Sequence, residues 1–153
     1  MEKPVQRPPS IVAFDRLYLS SVVLYLLNAV LFWTATRAIM LTSLPAANPA
    51  VARLLPTIMA GSLVVTVAVS LLLWWLVVRA RNVAGKWLVA ATEAIGAVLA
   101  ALALVRLAGG ASINTPSVLL GLISTALAIA AAAMLFRPDA VAWFATDRPD
   151  LRA

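Results

Sequence analysis

The chain has 153 residues, of which 63% are hydrophobic and 12% charged, and its mean hydropathy is +0.99. A soluble domain of this length cannot hide so much apolar surface, so the composition points to a membrane protein and away from a water-soluble fold. Twelve Lys and Arg against six acids leave a formal net charge of +6. These basic residues flank apolar runs, which assigns them to membrane orientation and anionic headgroups and excludes nucleic acid as the expected partner.

The absences are equally informative. Without Cys there is no disulfide, thiol relay or thiolate metal site, and without His the usual haem ligand, zinc ligand and neutral-pH general base are missing. No Gly-rich phosphate loop, paired catalytic acids, HExxH or nucleophile elbow is present. The expectation is therefore no cofactor, no metal and no enzymatic activity. Arg outnumbers Lys ten to two and Ala is abundant, the composition of a GC-rich bacterial genome.

In chain order, residues 1–16 form a polar, Pro-rich tail in which Ile11 to Phe14 read as a short interfacial lead-in. Leu17 to Thr36 gives 20 uncharged residues ending near Phe32 and Trp33, enough to cross a bilayer core of roughly 30 Å. This run is longer than a signal-peptide apolar region and three more follow it, so it reads as a retained span. Arg37 to Arg53 reads as a loop interrupted by Pro45, Asn48 and Pro49. Leu54 to Val78 is a second span of 25 uncharged residues, with Pro56 in its expected first turn.

The connection Arg79 to Lys86, with Asn82 and Gly85 as turn residues, is short enough to make spans two and three an antiparallel hairpin. Span three runs from Trp87 to about Val105 and carries one acid, Glu93. Gly109 and Gly110 then supply a left-handed helix end. Thr115 is the expected cap of span four, with Pro116 at the first helical position, and residues 137–153 form a second tail.

The expected fold is thus an all-α membrane protein, an antiparallel bundle of four transmembrane helices with short interfacial segments at both ends. Residues 1–153 form one membrane domain, with spans at about 17–36, 54–78, 87–105 and 117–136. Nine basic residues fall on the face holding both tails (1–16 and 137–153) and the 79–86 connection, and three on the other. The positive-inside rule then puts both termini in the cytoplasm. Arg7-Pro8 before Ile11 to Phe14 is echoed by Arg137-Pro138 before Ala140 to Trp143, two segments answering one interfacial problem.

Small residues crowd spans three and four, among them Ala90, Ala94, Gly96, Ala100, Gly121 and Ala128, and allow close helix approach there. The candidate intramembrane polar site is Glu93 with Asn28 and Ser70. An acid inside a span is costly unless paired, so Glu93 snorkels to the interface, pairs with Arg16, Arg79 or Lys86, or takes and releases a proton. Asn28 reads foremost as an interhelical hydrogen-bonding residue.

The stretches Arg7 to Phe14, with Leu17 and Leu19, and Arg137-Pro138-Asp139-Ala140 followed by Trp143-Phe144 resemble those of small four-span inner-membrane proteins of proteobacteria that have no assigned activity. The resemblance covers about a fifth of the chain and implies a bacterial inner membrane. The first functional expectation is a non-enzymatic accessory or structural membrane component, whose partners are the bilayer and either further copies of itself or another membrane protein. The alternative is a small proton-coupled transporter using Glu93. In size and in its lone membrane acid the chain is similar to the small multidrug resistance family, although that family's Glu lies in the first span. A glutathione-using membrane enzyme is a third class, but the spans lack the Arg and Glu cluster that would hold an anionic cofactor.

Overall fold

The structure is a computed structural model that describes residues 7–43, 49–110 and 114–145. Six helices follow in order: α1 (Pro9–Leu31), α2 (Trp33–Ser43), α3 (Pro49–Val78), α4 (Val83–Ala108), α5 (Thr115–Met134) and α6 (Pro138–Ala145). Four of them, α1, α3, α4 and α5, are long and apolar enough to cross a membrane. The protein is an all-α membrane bundle.

Residue pairings fix the arrangement. Ser124 Oγ donates to the Ser21 carbonyl at 2.9 Å and Ser117 Oγ to Asn28 Oδ1 at 3.0 Å, so α5 descends as α1 rises. Trp74 Nε1–H donates to an Asp15 carboxylate oxygen and joins α3 to α1. The Trp87 ring meets Phe136 edge-on at 5.3 Å, which sets α4 antiparallel to α5. The neighbours round the ring are therefore α1, α3, α4 and α5, with α5 closing back onto α1.

The closest packing is between α1 and α5. On α1, Ile11, Phe14, Tyr18, Ser21 and Asn28 recur at steps of three, four and seven. On α5 and its C-cap, Ser117, Gly121, Ser124, Ala128, Ala131 and Leu135 recur at steps of three and four. Both are seam repeats of antiparallel helices. In lipid, burial of apolar surface drives little helix association. Close backbone approach and interhelical hydrogen bonds do so instead, and the small residues of α5 supply both. The tight pair is thus spans one and four, not three and four, and α4 is the least covered of the four, with Val98 60% exposed.

One end of the bundle holds nearly all of the densely packed core. Ile11 and Phe14 are fully buried there, with Val77, Val89, Leu135 and Ala140. This is the end where α3 turns into α4 and where α6 folds under α1. The lead-in Ile11 to Phe14 is the first two turns of α1, and α6 covers it. The two Arg-Pro segments that echo each other in sequence begin α1 and α6 and lie against one another: the backbone N–H of Ser10 donates to Asp139 Oδ2 at 3.1 Å.

Several boundaries differ from the sequence reading for identifiable reasons. The stretch 37–53 is mostly helical, since α2 continues to Ser43 and Pro49 opens α3. Proline lacks the amide that a first-turn residue does not need, so Pro49 starts a helix there instead of breaking one. Pro45 and Asn48 lie outside the described residues. Because α3 begins earlier, Pro56 sits inside it and not in its first turn. Transmembrane helices tolerate this where neighbouring groups satisfy the freed carbonyl. Asn114, not Thr115, caps α5: its side chain accepts from the Ser117 N–H at 3.2 Å.

Asn82 likewise caps α4 by accepting from Ala84 N–H at 2.8 Å. Gly85 lies within the first turn of α4, where a Cβ would come within 3.0 Å of the Leu76 Cβ. Its lack of a side chain is what lets the hairpin close. At the other end of α4, Gly110 takes a φ of 72°, the left-handed ending expected there.

Candidate functional site

A cleft of about 320 Å³ opens between all four long helices, just beyond the packed end. Tyr18 and Ser21 line it from α1, Ser70 from α3, Glu93 from α4, and Ser124 and Thr125 from α5. Glu93 stands ten residues into α4, roughly 15 Å along its axis. It is well inside the bundle.

Local geometry explains how each group reaches the cleft. Tyr18 is the third member of the α1 seam repeat, stacked on Phe14 at 5.2 Å between ring centroids, so the seam itself aims it inward. It is only 2% exposed, and its phenol lies beside both Ser70 and Glu93. Ser70 is one turn before Trp74, whose bond to Asp15 holds α3 against α1. Glu93 Oε2 lies 3.8 Å from where a Cβ on Gly96 would stand, so the carboxylate folds along its own helix toward Thr125, over a residue that leaves room for it.

Three hydroxyls on the lining direct their protons to backbone carbonyls. Ser21 Oγ donates to the Tyr18 carbonyl at 2.7 Å, and Ser124 Oγ to the Ser21 carbonyl. Thr92 Oγ1, also on the lining, donates to Val89 O at 2.9 Å or Leu88 O at 3.0 Å. What those oxygens and the Glu93 carboxylate offer to the cleft is acceptor capacity. An apolar-walled site rich in acceptors suits a proton or a positively charged, hydrogen-donating ligand.

Glu93 does not find the basic partners expected of it. Arg16 and Arg79 are exposed, and Lys86 directs its ammonium over the Phe136 ring, 4.1 Å from the centroid. Among the described residues Glu93 has no ion pair. Of the three candidate residues, Glu93 and Ser70 come together. Asn28 stands apart, two turns beyond Ser21 in the α1–α5 seam, where it accepts from Ser117 and packs its amide against Gly121. It holds two helices together, as its reading as an interhelical bonding residue anticipated.

Tyr18 is the site residue that sequence reasoning missed. The signal was present in the spacing of Ile11, Phe14, Tyr18 and Ser21, which puts the tyrosine on the inward stripe of α1. Among the described residues no group of acids could hold a metal ion. The chain matches no family model, no curated protein and no solved structure.

Proposed function

We propose that this four-span membrane protein is a small proton-coupled transporter, in which Glu93 exchanges a proton for a positively charged solute. The observation that carries the reading is the setting of Glu93: an acid without an ion-pair partner among the described residues, in a cleft bounded by every long helix, where the Ser21 and Ser124 hydroxyls donate to backbone and leave their oxygens as acceptors. An intramembrane acid that served packing alone would be tied to a basic neighbour, because an unpaired carboxylate is costly in a bilayer. Protonation neutralises Glu93 in the empty cleft, and a cation replaces the proton when solute enters. On this reading the protein has no enzymatic role.

The test is flux. Purified protein in liposomes enclosing a pH indicator is challenged with a panel of organic ammonium ions. At least one of them is expected to drive counterflow of protons through the native protein and not through Glu93→Gln. Equal flux in both proteins, or none with any member of the panel, would remove this function.

A second reading, an accessory membrane subunit, is favoured by the open face of α4, where Ala91, Ala94 and Ala101 are exposed small residues available to a partner helix. Crosslinking in native membranes that recovers a stoichiometric partner would select it. We further propose a bacterial inner membrane with both termini in the cytoplasm, on the strength of the nine-to-three basic asymmetry. Terminal fusions to a reporter active only in the cytoplasm test that orientation.

A further inference from the structure

A second cavity lies where α3 turns into α4, at the boundary between spans and water. It is an open hollow of about 510 Å³ lined by Ala80, Arg81, Asn82, Ala84, Trp87 and Phe144. Its floor combines one guanidinium, an amide and two large aromatic rings.

Arg81 is held there in an unusual way. Its φ of 48° is the only left-handed value at a non-glycine among the described residues, and such a conformation persists only where its surroundings impose it. The guanidinium carbon stands over the Trp143 ring, 3.9 Å from the centroid, a cation–π contact that holds the group beside the cavity. Among the described residues, the acids of this end already accept hydrogen bonds: Asp139 from Ser10 and Asp15 from Trp74. Lys86, Arg79 and Arg137 add positive charge on the same side. The cavity therefore combines a positive field with a fixed fork of donors, next to aromatic surface at membrane depth.

We propose that this cavity is a binding site for an anionic phospholipid, its phosphate on the Arg81 guanidinium and its acyl chains running down the exposed apolar side of Trp87. Trp87 is 61% exposed and marks the start of the lipid-facing surface of α4. Basic pockets at the ends of membrane helices select anionic headgroups because each cation near the surface contributes about 1 kcal/mol, equivalent to roughly a fivefold preference. The site is separate from the Glu93 cleft and does not depend on the transport reading.

The experiment is native mass spectrometry of the full chain, stripped of lipid in neutral detergent and offered equal phosphatidylglycerol and phosphatidylcholine. The native protein should retain phosphatidylglycerol about fivefold over phosphatidylcholine. Arg81→Gln should remove the preference, while Arg79→Gln, the same charge change on the exposed side of the same end, should keep it. Ala84→Glu gives a second variant that is expected to fold, since an acid in a first helical turn is favourable, and it should repel the headgroup. Equal retention of the two lipids by the native protein would overturn the proposal, as would equal losses in the two Arg variants. An inorganic phosphate arm separates the sources: displacement of phosphatidylglycerol by phosphate alone would show a site for the free ion and overturn the lipid assignment.

Discussion

The Ser10 N–H and the Asp139 carboxylate meet at 3.1 Å although 129 residues separate them, and this contact closes one end of the bundle. Asp139 sits in the first turn of α6 and caps the first turn of α1 from outside it, near the positive ends of two helices at once. The Ser10 side chain and its backbone N–H, both beside the carboxylate, hold the Asp139 carboxyl below the usual carboxylate range.

A pH dependence follows, and its sign is fixed. A carboxyl whose folded value is lowered favours the folded state above its unfolded value of about 3.9, and that contribution fades as pH falls toward the lower folded value. Acidification through this range should loosen the α6 contact with α1, read as lower hydrogen-exchange protection at Ser10 and Ile11 relative to the intrinsic rate at each pH. Asp139→Asn should exchange faster already at neutral pH and show no further acid step in this segment. An acid step of native size in Asp139→Asn would assign it to another group.

In the α1–α5 seam, Ser117→Ala removes one interhelical hydrogen bond and should lower stability by only about 0.6 kcal/mol, the average for such bonds in membranes. Gly121→Leu should cost more. The Asn28 amide nitrogen is 3.5 Å from where a Cβ would stand, so a β-carbon fits and the rest of a leucine does not. Unfolding in mixed micelles would rank the two variants, and the reverse order would mean that the hydrogen bond, not close approach, dominates this seam.

The hairpin offers a matched pair of glycine substitutions. Gly85→Val should destabilise by about 1–3 kcal/mol through overpacking against Leu76. Gly61→Ala, with nothing within 4 Å of the new methyl, should stabilise by up to about 1 kcal/mol through helix propensity. Thermal unfolding of both variants checks the contrast.

Glu93→Gln should leave stability within about 1 kcal/mol of the native protein. Removing one partner of a buried ion pair costs about 3–5 kcal/mol, and no such pair is present here among the described residues. A loss of that larger size would reveal a basic partner for Glu93 and weaken the transport reading independently of any flux measurement.

The sequence by itself determined that this chain lives in a membrane and crosses it with four helices. Length and apolarity of each run decide this, because backbone groups in lipid must be satisfied within a helix. It also singled out Glu93, since one acid among apolar residues is visible without any fold, and it placed Gly110 at a helix end. Tertiary structure alone decided which spans touch. In lipid the apolar period carries little information about partners, so the small residues of spans three and four gave no sign that α5 would pair most closely with α1. It decided too that Ile11 and Phe14 are core, because residues from α3, α4, α5 and the returning α6 close around them. Most consequentially, it separated Asn28 from Glu93 and brought in Tyr18. Membership of the cleft depends on the rotation of each helix about its axis, and for α1 and α5 that rotation is set by the Ser21–Ser124 and Asn28–Ser117 contacts between distant parts of the chain.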